Sequence, residues 1–231
     1  MTTIFIVGTD TEVGKTVVTS ALVAYWQTRH PQESLGVIKL IQTGTGDYEH
    51  YQKLFPDVEI VNPLRYDTPV APPVAAEREN RPIPLDLVLG SLEDLQERKK
   101  LVLAEGLGGL GSPVTWELTV ADIAGNWGLE TILVVPVKLG AIAQTVANVA
   151  LARQHKVNLK GIILSCPQPI SEQEILELTP ISLIESLTKI PILGVIPYLE
   201  SIKDVSKLAH VASNLKLSVI IDQLSVVSFQ C

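Results

Sequence analysis

Short apolar runs and helical periodicities take turns along the chain. Residues 4–7 form a β-branched and aromatic run that stops at Gly8, and 16–28 repeats apolar residues at the spacing of a helix. The same reading predicts further strands over 35–41, 101–104, 131–135, 159–164 and 192–196. It predicts further helices over 47–55, 85–98, 120–127, 141–155, 172–187 and 201–215. The runs TILVV and GIILS are apolar without alternation, as in strands covered on both faces. Strands that alternate with helices mean βαβ units. The expected fold is α/β: a doubly wound, mostly parallel sheet with helices on both faces. Residues 62–84 carry Pro63, Pro69, Pro72, Pro73, Pro82 and Pro84 and predict no regular element. They read as a surface connection, or as an ordered loop of the kind that carries function. The segment 219–231 reads as a final strand or a docking tail.

Composition narrows the picture. A chain of 231 residues fits one domain, 1–231, large enough to bury a core without disulfides or a structural metal. Lys plus Arg number 18 against 25 for Asp plus Glu, a net charge of -7, which argues against a broad nucleic-acid surface but not against a local anion site. Cys166 and Cys231 are too few for a disulfide framework or a four-ligand zinc site. The longest apolar stretch, 131–152, is interrupted by Pro136, Lys138, Gln144 and Asn148, and the first eight residues lack the basic start of a secretory signal. A cytoplasmic protein without a membrane span is expected.

The chemistry begins at Gly8-Thr9-Asp10-Thr11-Glu12-Val13-Gly14-Lys15-Thr16, between a predicted strand and a predicted helix. That is the setting of a phosphate-binding loop. Backbone N–H groups converge on oxygens, the helix N-terminus favours an anion, Lys15 supplies a point charge and the Thr16 hydroxyl suits Mg²⁺. The expected phosphate-binding stretch is Glu12, Val13, Gly14, Lys15, Thr16 and Val17. Five residues separate the glycines where the usual loop has four. Asp10 and Glu12 sit oddly in a phosphate cradle, so Asp10 is read as supporting the loop or the metal, and Glu12 as facing a cation.

Further residues join this loop at the carboxyl ends of strands, where doubly wound sheets bind ligands. Lys39 in KLIQTG offers a second cation, and Thr43 a hydroxyl. Glu105 in EGLGG is an acid at a strand end, a position that holds Mg²⁺ in phosphate-loop enzymes. Asp47 is either a further metal ligand or a helix N-cap. The segment VKLG, 137–140, is either an anion-binding helix start or an ordinary turn. Two lysines and at least two acids around ATP suggest phosphoryl transfer to an anionic acceptor, because a neutral one would not need the second charge.

GTDTEVGKT, KLIQTG, EGLGG and VKLG, in this order and approximate spacing, resemble the dethiobiotin synthetase family over residues 3–199. The five-residue loop is a feature of that family. The resemblance implies Mg²⁺, with ATP as co-substrate, and the insertion of CO₂ between the two amines of 7,8-diaminononanoate to close a ureido ring. It implies that Lys15, Lys39 and Thr11 serve catalysis, with Lys15 and Lys39 holding a carbamate and the transferring phosphoryl group. Thr11, Glu12 and Thr43 would line the substrate, with the glycines 106–109 against it or the phosphates. Thr16, Asp47 and Glu105 would ligand Mg²⁺. It also implies a homodimer, in which the helix after VKLG completes the partner's substrate site.

Three departures stand out. Ser165-Cys166 replaces the Asn-Asp that the family presents to the adenine, which predicts looser nucleotide choice or a takeover by backbone groups around 194–198. Ala143-Gln144 replaces Asn-His after VKLG, leaving the substrate carboxylate to backbone amides or Gln144. Leu40 and Leu107 replace Pro and Ala, which reads as a packing change. Two other readings compete: an ATPase switch of the partitioning type, and a catalytically silent nucleotide sensor. The first lacks its extra lysine at the loop start, where this chain has Gly8-Thr9-Asp10.

Overall fold

The computed structural model describes residues 2–219; the tail segment from 220 onward lies outside it. The first strand, β1 (Thr2–Gly8), is buried from its third residue on. Ile4 and Ile6 face one apolar cluster, and Phe5 and Val7 face the other. That alternation is what a strand covered on both sides requires. Around it lie β2 (Leu35–Lys39), β4 (Glu59–Val61), β6 (Leu101–Gly109), β7 (Glu130–Pro136), β8 (Asn158–Ser165) and β9 (Ile192–Ile196). These seven strands form a parallel sheet in the order β4-β2-β6-β1-β7-β8-β9. A separate parallel pair joins β3 (Ile41–Thr43) to β5 (Leu64–Tyr66).

Helices α1 (Lys15–Arg29), α2 (Asp47–Leu54) and α9 (Val205–Ser213) contribute Leu22, Tyr51 and Leu208 to one cluster. Helices α4 (Leu85–Arg98), α5 (Val120–Asn126), α6 (Ala141–Gln154) and α8 (Ile181–Thr188) contribute Leu92, Ile123, Val149 and Ile184 to the other. On α4 the buried positions Val88, Leu92 and Leu95 recur at helical spacing. No helix among the described residues is long and apolar enough to cross a membrane.

Four expectations from the sequence need correction. The predicted strand 35–41 is two strands, because the chain leaves the main sheet at Leu40 and pairs with β5. The proline-rich stretch 62–84 contains β5 and α3 (Pro72–Arg78), whose two prolines occupy its first turn, where no intrahelical N–H bond is lost. The predicted helix 172–187 is α7 (Glu172–Leu178) and α8, divided at Pro180, which cannot donate the next helical bond. Helix α9 is shorter than 201–215: Asp204 accepts the Lys207 N–H and caps it there.

Candidate active site

Between β1 and α1 the chain turns through a loop closed by Gly14, whose φ of 95° lies in the left-handed region that glycine tolerates. A Cβ at this position would lie 2.3 Å from Ser165 Oγ at the end of β8. The loop is therefore packed against the neighbouring strand end as well as bent. Asp10 Oδ1 accepts the Thr11 N–H at 2.7 Å, so this carboxylate supports the loop. Glu12 is exposed, with a φ of 56°. Val13 is buried in the core cluster, which leaves only its backbone for a ligand. The first turn of α1 holds no acid, so the helix end stays open to anions.

The Lys15 ammonium donates to the carbonyl oxygens of Asp10 at 2.9 Å and Gly108 at 2.8 Å. Burial and the nearby Lys39 push its pKa down to about 8, against the pull of Glu105, Asp47 and Asp10. Lys39, 3% exposed at the end of β2, donates to Glu105 Oε1 at 2.7 Å, Asp47 Oδ2 at 2.5 Å and the Gly106 carbonyl at 3.0 Å. Burial alone would lower its pKa, but the two carboxylates outweigh burial and hold it above the ordinary lysine value. For Asp47 burial pulls upward, and Lys39 with the Thr16 hydroxyl overcomes it, keeping the carboxyl below its usual range.

Glu105 is fully buried within β6, directly across from Lys39 in the β2–β6 register. The strand runs on through Gly109 instead of ending at 104, so the glycines 106–109 are strand and not turn. The N-cap of α2 is Gly46, not Asp47; Asp47 is the first helical residue and points to Lys39 and Thr16. Thr16 Oγ1 lies 2.9 Å from Asp47 Oδ1 and 3.4 Å from Glu105 Oε1. One hydroxyl and two carboxylates converge, all oxygen, the donor chemistry of Mg²⁺. No group of three or more His, Cys, Asp or Glu among the described residues makes a protein-only cage. A cation bound through two carboxylates, waters and phosphates needs none.

Lys15, Thr16, Lys39 and Asp47 border one cleft of about 710 Å³, and Glu105 lies buried behind its wall. Thr11, Glu12, Gly14, Lys15, Thr16 and Val17 line it. Lys39, Thr43, Asp47 and Pro69 line it too, as do Ser165, Cys166, Pro197 and Tyr198. Cys166 uses its N–H on the Ile196 carbonyl, and burial pushes its thiol pKa up. The segment 137–144 does not line this cleft; Leu139, Gly140 and Ala143 border a separate apolar groove with Leu178 and Leu187. The side-chain oxygen of Gln144 has no hydrogen-bond partner there.

Sequence reasoning missed Gln42, Thr19 and Tyr51. Gln42 accepts the Tyr48 N–H at 3.0 Å and donates to the Gly44 carbonyl at 3.2 Å, which shapes the loop ahead of α2. Thr19 Oγ1 lies 2.9 Å from Glu105 Oε2, and the Tyr51 hydroxyl donates to the same oxygen.

The profile of the AAA domain family matches residues 2–206. The ATP-dependent dethiobiotin synthetase of Crocosphaera subtropica is 77% identical over 95% of this chain and all of its own length. That of Gloeothece citriformis is 59% identical over 94% and 97%. That of Synechocystis is 50% identical over 93% of both. Among solved structures, the MinC:MinD cell division complex of Aquifex aeolicus superposes at a TM-score of 0.59, with 14% identity over 100% of this chain and 98% of that one. A ParA family ATPase from Chlorobium tepidum superposes at 0.55, with 13% identity over 96% and 97%. At that identity the likeness shows the fold alone; it is the dethiobiotin synthetase relatives that disfavour the switch reading. Sequence identity and the cleft agree: this chain belongs to the ATP-dependent dethiobiotin synthetase family.

Proposed function

We propose that the chain joins CO₂ to the two amines of 7,8-diaminononanoate at the expense of ATP. One amine nitrogen bonds the carbon of CO₂ and loses a proton, giving a carbamate. A carbamate oxygen attacks the γ-phosphorus and ADP leaves, forming a carbamic-phosphoric anhydride. The second amine attacks the carbonyl carbon, phosphate leaves, and the nitrogen gives up its proton as the ring closes.

The observation that carries this reading is the pair of buried ammonium groups on one cleft. Lys15, at the start of α1, is suited to the γ-phosphoryl group. Lys39, across from Glu105, is suited to the carbamate. The phosphoryl group in transit would then lie between two fixed cations in a water-poor site, where preorganised charge counts most. Thr16, Asp47 and Glu105 would hold Mg²⁺, which when bound neutralises charge on the β- and γ-phosphate oxygens. Backbone N–H groups over 12–17 would cradle the phosphates. Thr11, Glu12 and Thr43 would face the diamine, with the carboxylate of Glu12 suited to an amine.

The proposal extends to a homodimer in which the exposed face around Leu139 and Ala143 meets a second copy. Leu139 is 86% exposed and borders the same apolar groove as Ala143 and Val146. It treats 1–231 as one domain, supported by two apolar clusters that share a single sheet. It sets the enzyme in the cytoplasm, where ATP is available. Phosphate release from Mg·ATP and bicarbonate is expected to depend on 7,8-diaminononanoate. Release that ignores the diamine, or none at all, overturns the reading.

A further inference from the structure

The mechanism above leaves one buried polar group unused. Tyr51 is fully buried in the apolar cluster that holds Leu22, Val37 and Phe55, and its hydroxyl donates to Glu105 Oε2. It sits four residues after Asp47 on α2, hence on the same helix face, one turn below. Helix α2 therefore supplies a carboxylate to the cleft and a phenol to the acid behind it.

We propose that Tyr51 is a positioning residue for Glu105, fixing the plane of its carboxylate so that one oxygen is held against Lys39 and Thr16 on the wall of the cleft. The two oxygens of Glu105 have different neighbours. Oε1 meets Lys39 at 2.7 Å and Thr16 at 3.4 Å, both on the cleft. Oε2 meets the Tyr51 hydroxyl and Thr19 Oγ1 at 2.9 Å, both behind it. Thr19 has one proton and a second acceptor within reach, the Lys15 carbonyl at 3.0 Å. The Tyr51 hydroxyl lies within hydrogen-bond reach of Thr19 as well, but as a phenol beside a carboxylate it is the stronger donor of the two and gives its proton to Oε2. Rotation of the carboxylate that carried Oε1 away from Thr16 would break the Tyr51 bond. The ring thus pins the carboxylate in the orientation in which Oε1 is presented beside Asp47.

The inference rests on the metal reading given above. Its test is a titration of Mn²⁺, followed by electron paramagnetic resonance, onto the full chain saturated with ADP. Tyr51→Phe keeps the ring and deletes only the donor. Its Mn²⁺ dissociation constant is expected to rise about tenfold, the lower end of the effect of removing a partner of a metal ligand. Metal-free ADP binding should stay within about twofold. The Mg²⁺ concentration for half-maximal turnover should rise with it, with kcat recovering at high Mg²⁺. An unchanged Mn²⁺ constant overturns the proposal, as does an equal loss of metal-free ADP binding, which would mean general damage. Should Tyr51→Phe fail to fold, 3,5-difluorotyrosine at position 51 keeps the ring and changes only the strength of the donor. A Mn²⁺ constant that moves with it supports the assignment, and one that does not overturns it. Wild-type protein that binds no Mn²⁺ with ADP would instead sink the metal reading itself.

Discussion

All three protons of the Lys39 ammonium are engaged, by Glu105, Asp47 and the Gly106 carbonyl. A carbamate must displace one of these partners. Lys39→Gln keeps hydrogen bonding and deletes the charge, so Mg·ATP binding should change little while turnover falls about 10²–10³-fold, the effect of removing one preorganised stabilising group. Equal losses of binding and turnover, by calorimetry and phosphate release, would refute the assignment of Lys39 to the acceptor. Lys15 makes a pH prediction. Its folded-state pKa is lowered to about 8, and only the ammonium form attracts phosphate. ATP affinity should therefore be full below pH 8 and decline above it, by up to about tenfold per pH unit for one linked proton. Lys15→Met should bind weakly at every pH and flatten the profile. Lys15, Thr16, Lys39 and Glu105 were readable because strand ends and helix starts fix where such residues go. Tyr51 was not, because a tyrosine on the apolar side of a short helix reads as core, and its acceptor lies 54 residues away.

At the level of elements, long periodic segments were legible and short ones were not. The predicted helix over 85–98 and strand over 192–196 coincide with α4 and β9. Strands β4 and β5 have three residues each, too few to show alternation, and their pairing is decided by partners distant in sequence. The split at Leu40 has no local signal, since the run stays apolar while the chain changes sheets. Edge strand β4 is tied to α4 by Glu59, which pairs with Arg98 at 2.7 Å and Lys99 at 2.9 Å. Hydrogen bonds from Arg98 and Lys99 hold its pKa at about 2, below the ordinary 4.5. A lowered carboxyl pKa stabilises the fold fully above the unfolded value and loses that contribution as pH falls toward the folded one. Glu59→Gln should therefore lower the thermal midpoint near neutral pH and lessen its decline between about pH 4.5 and 2. An acid limb identical to wild type would show that the pair is screened by solvent.

For the whole molecule, the fold class followed from strand–helix alternation, and the seven-stranded parallel sheet agrees with it. A dimer of the proposed kind would leave no trace in one chain's periodicity beyond an apolar helix face left uncovered among the described residues. If α6 is the proposed dimer contact, Val146→Asp should convert a particle of twice 25.1 kDa into one of 25.1 kDa by light scattering. Diamine-dependent turnover should fall with it, while ATP binding persists. The lining of the cleft has one further property. Lys39, Thr43, Asp47 and Pro69 come from one stretch of the sequence, and Ser165, Cys166, Pro197 and Tyr198 from residues 165 onward. The phosphate loop lies in neither. Because Lys39 and Asp47 serve both the proposed acceptor and the proposed metal site, and Thr11 and Glu12 face the acceptor from the phosphate loop, no one stretch of sequence can be exchanged without altering both halves of the proposed reaction.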